Sequence, residues 1–191
     1  VRIVLGLAEE QWDSEVVNLL EGSHRTEPHL SRNPQGLVPV LEVDGHSLTQ
    51  SLAQIEYLNE TRNLDLLPAT PLGRAEVRAL SYAIAMEIHP VCNLSVAKWA
   101  VEHSKQAIEM GDWMSHFITQ GLAAYEQMVT GDEYSYGTGV TLADVCLMPQ
   151  LYNAERWGVG LEGFPKVQRI KNQLETLAAF QQAHPDATKQ A

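Results

Sequence analysis

Apolar positions change period several times along the chain, and each change marks an element. Val1, Val4, Leu5 and Ala8 fall on one helical face, so the sequence opens on the back half of a helix. Residues 13–20 (DSEVVNLL) read as a strand, and residues 21–32, with Gly22, His24 and Pro28, as a loop or short helix. An extended run follows at 37–43 (LVPVLEV) and ends at Asp44-Gly45. Asp-Gly between two apolar runs predicts a hairpin, whose second strand is residues 47–49. Ser51-Leu-Ala-Gln54 then spells a capping box with Ser51 at the cap, and Leu52, Ile55 and Leu58 recur at helical spacing.

Residues 62–71 (RNLDLLPATP) carry two prolines and read as a break between domains, with 63–70 as the linker. Pro71 suits the first position of the next helix. From there to about residue 105 the chain reads as mostly helical, striped by Leu80, Ile84 and Ile88, with a kink expected at His89-Pro90. Residues 107–128 form a second amphipathic pattern that points Trp113, Phe117, Leu122 and Tyr125 to a core, and 131–139 reads as a loop. Thr141-Leu-Ala-Asp144 is another capping box. It opens a very apolar helix to about Trp157, expected to be central and bent by Pro149. A last helix is expected over 165–180, striped by Val167, Ile170, Leu174 and Leu177, and then a frayed polar tail.

Composition narrows the function. The 191 residues are 45% hydrophobic and 19% charged, ordinary for a globular protein. The net charge of −11 argues against a nucleic-acid partner. It also makes individual arginines matter wherever an anion is handled. Cys92 and Cys146 form no CxxC, which suits reduced thiols in the cytoplasm. No apolar run approaches the ~20 residues of a membrane span, and no signal peptide is read. The seven histidines form no HxxxH pair, so no metal site is expected, and no Gly-rich phosphate loop occurs.

Three places carry candidate chemistry. Pro39 interrupts an apolar strand; with a cis Val38-Pro39 bond, the Val38 backbone would turn outward and offer N–H and C=O to an extended peptide. The helix start at Gln50-Ser51 suits a carboxylate. On residues alone, the favoured reading is that Pro39 ends a strand and Ser51 only caps a helix. Arg156 closes an apolar helix, where it complements the dipole and could also grip a carboxylate bidentately. His89 stands beside a helix break, where a polar group can satisfy a freed carbonyl. Asp144 reads as a structural cap.

Asn33-Pro-Gln-Gly-Leu-Val-Pro-Val-Leu41, Asp44-Gly45 and Thr49-Gln-Ser-Leu-Ala-Gln-Ile-Glu-Tyr-Leu58 together resemble the glutathione site of the glutathione transferase superfamily. The Thr141–Asp144 box resembles its folding motif. Glu87-Ile-His-Pro-Val-Cys-Asn-Leu-Ser95, Asn153-Ala-Glu-Arg156 and His184-Pro-Asp-Ala187 resemble the zeta class, the maleylacetoacetate isomerases. The resemblance implies an α+β glutathione transferase fold, with a thioredoxin-like domain over 1–62 and an all-α domain over 71–191. It implies a cis Val38-Pro39 bond, Val38 paired with the cysteinyl part of glutathione, and Gln50 and Ser51 on its γ-glutamyl carboxylate. His89, Asn93, Leu94 and Ser95 would touch glutathione, partly across a homodimer interface, and Arg156 would bind the dicarboxylate substrate. The implied activity is glutathione-dependent isomerisation of maleylacetoacetate to fumarylacetoacetate, in tyrosine and phenylalanine breakdown in the cytoplasm.

One departure bears on this. The family's first strand, and the loop whose serine stabilises the glutathione thiolate, have no match in this sequence. The expectation is therefore an N-terminally truncated chain with unpaired sheet edges and weak catalysis as written. Maleylpyruvate isomerase, a general transferase or dehalogenase of small haloacids, and a non-enzymatic transferase-like binding protein stay open as alternatives.

Overall fold

At Asp44-Gly45 both residues take positive φ, 53° and 78°. This double positive φ matches the twist of the flanking strands. β1 (Leu41–Val43) pairs antiparallel with β2 (His46–Leu48), Val43 opposite His46. The hairpin lies in a computed structural model that describes residues 1–105 and 107–187; the tail expected to fray lies largely outside them. By compactness the chain divides into Val1–Leu64 joined by the segment from Ala178 on, and Asp65–Leu177.

In the first unit, α1 (Arg2–Leu7) buries Ile3, Val4 and Leu5. A one-turn 3₁₀ segment (Ser23–Arg25) and α2 (Glu27–Leu30) precede the hairpin, and α3 (Ser51–Arg62) follows it. Three expectations fail here. Residues 13–20 are not a strand: Val16 and Leu20 are 80% and 97% exposed, and no described segment runs beside them to complete a ladder. The run 37–43 is strand only from Leu41 on. Ser51 is not the cap either. Gln50 holds that position, with no side-chain cap bond, and Gln54 turns away from the helix start to donate to Pro39 O and Leu48 O. Fully buried, its amide satisfies carbonyls that water cannot reach.

The helix expected over 165–180 is two helices, α9 (Pro165–Leu174) and α10 (Ala178–Ala183), named here ahead of the intervening elements. α10 packs on α1. A Cβ on Gly6 would lie 3.1 Å from Ala179, and Arg2 donates to Ala183 O at 3.1 Å. By compactness α10 thus goes with the first unit, although the sequence reading grouped it with the helical domain.

In the second unit, Thr70 caps α4 (Pro71–Tyr82) by accepting from Gly73 N at 3.1 Å. The chain continues through a π turn (Ala83–Ile88) into α5 (His89–Val91), and α6 (Leu94–His103) follows. The break thus comes at Cys92-Asn93, later than His89-Pro90. The widened π turn relieves the clash a proline ring makes with the carbonyl one turn back. α7 (Met110–Met128) buries Met114, Ile118, Leu122 and Tyr125, while Trp113 and Phe117 sit half-buried at its edge. Gly121 is required where α7 meets the π turn, since a Cβ there would lie 2.3 Å from Ile88. α8 (Leu142–Arg156) runs through Pro149 and is buried along most of its length.

The predicted Thr141–Asp144 capping box forms. Asp144 accepts from Thr141 N at 2.8 Å, Thr141 Oγ1 at 2.9 Å and Ser135 N at 2.7 Å. Burial pushes its pKa up, and the hydrogen bonds from Ser135 and Thr141 oppose that. Glu126 in α7 caps α9 from outside, accepting from Lys166 N and Val167 N. Among the described residues no helix is long and apolar enough to cross a membrane. Asp144→Ala strands three buried donors, so urea unfolding should show a loss of about 3 kcal/mol in stability.

Candidate ligand-binding site

The Val38-Pro39 bond is cis. Val38 is 43% exposed, and its N–H and C=O make no hydrogen bond among the described residues. The carbonyls on either side are engaged. Leu37 O accepts from His29 Nε2 at 2.9 Å and Asn33 Nδ2 at 2.8 Å; Pro39 O accepts from Gln54 Nε2 at 3.1 Å. Gly36 makes the preceding turn at φ 61°, where a Cβ would lie 2.9 Å from His24 O. The result is one exposed peptide segment that offers a donor and an acceptor, the pattern an extended peptide reads.

Beyond the hairpin, Gln50 takes φ 65°, a strained conformation for a residue other than glycine. It opens α3 with no side chain across the first amides, and Ser51 is exposed. Free amides at a helix start favour a carboxylate. Gln50 Nε2 donates to Gln35 Oε1 at 2.7 Å, which ties this helix start to the loop that carries Val38. The structure therefore brings Val38, Pro39, Gln50 and Ser51 together.

A charged clamp fixes the hairpin to α3. Arg62 grips both Asp44 oxygens, at 2.6 and 2.9 Å, and reaches Glu10 at 2.9 Å; Tyr57 OH donates to Asp44 at 2.9 Å. The hydrogen bonds from Arg62 and then Tyr57 hold the Asp44 carboxyl down to about 2, from an ordinary 3.8.

In the second unit, His89 is exposed and its side chain makes no hydrogen bond among the described residues, so the ring does not satisfy a freed carbonyl. Asn93 caps α6, accepting from Ser95 N at 3.0 Å and Ser95 Oγ at 2.8 Å. Leu94 is exposed. Arg156 is exposed at the end of α8, its guanidinium 6.0 Å from the Tyr152 ring centre, and makes no ion pair among the described residues. The first turns of α7 anchor both places. Trp113 Nε1 donates to Val91 O at 3.0 Å and Ser115 Oγ to Trp157 O at 3.4 Å. Two residues apart on a helix, these side chains point about 200° apart, so the α5–α6 junction and the end of α8 dock on different sides of α7.

The sequence reading missed His29, Asn33 and Gln35, and gave Gln54 the wrong partner. Asn33, Gln35 and Gln54 stand inside the motif around Pro39, so their spacing was a usable signal; His29 had none. No cluster of three metal-ligating side chains occurs among the described residues.

The family described as "Glutathione S-transferase, N-terminal domain" matches residues 1–61. A solved structure of maleyl pyruvate isomerase, a bacterial zeta-class glutathione transferase, superposes with a TM-score of 0.93 at 32% identity, covering 100% of this chain and 92% of that one. That of maleylacetoacetate isomerase from Anaeromyxobacter dehalogenans 2CP-1, with bound GSH, gives 0.87 at 39% identity, covering 100% and 90%. These likenesses define a glutathione transferase fold, thioredoxin-like at its N-terminal end and helical beyond. A maleylacetoacetate isomerase of Rhizobium meliloti (strain 1021) is 51% identical over 99% of this chain and 91% of its own length. The chain belongs to the maleylacetoacetate isomerase family, the zeta class of glutathione transferases.

The clamp should respond to acid. Asp44 has a depressed pKa, so its contribution is present above 3.8 and lost as pH falls through about 2. Amide exchange in the hairpin should accelerate over that window. In Asp44→Asn the hairpin should exchange fast throughout, with no such step.

Proposed function

We propose that the protein catalyses the glutathione-dependent cis–trans isomerisation of maleylacetoacetate to fumarylacetoacetate. The observation that carries this reading is the Val38 peptide, exposed with both polar groups unpaired, linked through Gln35 and Gln50 to an uncapped helix start. These residues fit glutathione, an extended tripeptide with a carboxylate at its γ-glutamyl end. Val38 would pair with its cysteinyl backbone, and Gln50 and Ser51 would hold that carboxylate. His89, Asn93, Leu94 and Ser95 are assigned further contacts by their match to the zeta-class motif. When bound, glutathione supplies a thiol that adds reversibly to the substrate's cis double bond, so that rotation can follow.

Arg156 has the substrate role. Its fork of donors has no internal carboxylate among the described residues, and a dicarboxylate offers the partner it lacks. A shorter diacid, maleylpyruvate, is the second reading, supported by the close likeness in fold to that isomerase. We place the protein in the cytoplasm, as a homodimer.

The test is turnover of both diacids by the full-length protein with and without glutathione. Glutathione-dependent loss of the cis isomer is expected, faster for maleylacetoacetate; no turnover of either diacid overturns the reading. Arg156→Ala should raise the KM for the diacid about tenfold while the Kd for glutathione stays within about twofold. Equal losses in both would remove Arg156 from the substrate site. Ser51→Ala should weaken glutathione about fivefold by calorimetry in a folded protein. Unchanged affinity would leave Ser51 a helix-start residue only.

A further inference from the structure

Three buried polar side chains surround Val38 without touching its own polar groups. His29 and Asn33 are 3% exposed and Gln54 is fully buried. His29 Nε2 and Asn33 Nδ2 both donate to Leu37 O, and Gln54 Nε2 donates to Pro39 O and to Leu48 O at 2.7 Å. A carbonyl can only accept. Nε2 of His29 therefore carries a proton, and its Nδ1 is buried with no partner. Likewise the Gln54 amide nitrogen faces two carbonyls, which leaves its Oε1 buried and unpaired.

These side chains satisfy the Leu37, Pro39 and Leu48 carbonyls, yet His29 and Gln54 each bury a further polar atom with no partner, which is costly. Peptide geometry supplies the compensating role. Leu37 C=O and Val38 N–H belong to one planar trans unit and point in opposite directions. Two donors fixed on the oxygen therefore aim the N–H outward. The bond to Pro39 O, one peptide further on, holds the segment on the other side of the Val38 carbonyl. The Val38 groups are left unpaired because every neighbouring donor is directed elsewhere.

We infer that His29, Asn33 and Gln54 are positioning residues that hold the Val38 peptide in the orientation read by the ligand's backbone. The inference rests on the glutathione reading of this site, and it assigns the three residues to cofactor affinity and to nothing in turnover. Asn33 is itself held, its Oδ1 accepting from Gln35 N at 3.1 Å, so the clamp is continuous with the turn at Gly36.

The test uses the full-length protein, with the Val38 amide followed by NMR during titration with glutathione, and with steady-state kinetics. In the wild type, glutathione should shift the Val38 resonance. His29→Phe removes one donor and should raise the glutathione Kd about tenfold. At saturating glutathione, kcat and the KM for the diacid should stay within about twofold, and His29→Gln, which can return an N–H near the same point, should recover most of the affinity. Asn33→Ser carries the same test if His29→Phe disturbs folding. A wild-type Val38 shift with undiminished affinity in the variants refutes the positioning role and leaves the glutathione site standing. Losses in kcat and diacid KM as large as the loss in affinity refute it too. No shift at Val38 in the wild type refutes the glutathione reading itself.

Discussion

The carboxamide of Gln54 holds three stretches of the first unit together: the loop at Pro39, strand β2 at Leu48, and helix α3, which carries it. It is needed because the sheet is small. Two strands of three residues each leave most of the backbone between residues 11 and 40 without a ladder partner. Buried peptide groups must still be satisfied. In this unit side chains do that work: Gln54 on two carbonyls, His29 and Asn33 on a third. The loop is thereby fixed in shape without being closed off by strand pairing.

The second unit meets the same constraint with carboxylates. Asp144 receives the amides of Thr141 and Ser135, which joins the start of α8 to the loop before it. Glu126 receives the amides of Lys166 and Val167, which joins α7 to the start of α9. Each is a helix start satisfied by a buried acceptor, and each ties two elements that hydrophobic packing alone would leave free to slide. By contrast, α3 begins with no such acceptor. That open start is tied through Gln50 and Gln35 to the loop that carries the exposed Val38 peptide.

How much of this was legible in the sequence follows from the range of the interactions. The Asp44-Gly45 hairpin, the Thr141–Asp144 box and the Pro71 helix start are local, and each formed as its residues dictate. Where a distant partner decides, local pattern misled. The Ser51-to-Gln54 spacing spelled a capping box, but a buried amide answers to the carbonyls around it, and Gln54 turned to Pro39 and Leu48. Residues 13–20 read locally as a strand, and a strand exists only beside another. Trp113 and Phe117 gave way to Met114 and Ile118, one residue along, because the facing helix sets which side of α7 is buried. At the site, the exposed residues were legible through their motif, whereas His29 was not, since nothing in its spacing announces that its ring reaches a carbonyl eight residues on.

The charge of the chain explains why an anion site here must be built from backbone and from isolated cations. A net charge of −11 repels dianions at long range, though salt screens that field within about 8 Å. Selectivity then depends on donors the ligand meets at contact. Arg62 is a strong cation, but it is consumed by Asp44 and Glu10. Arg32 is likewise taken by Glu15. Among the described residues, the amides at the start of α3 and the Val38 N–H in the first unit, and separately the guanidinium of Arg156 in the second, have no internal carboxylate. With Arg62 and Arg32 held by the protein's own carboxylates and Arg74 turned to the Ala69 carbonyl, these few donors count.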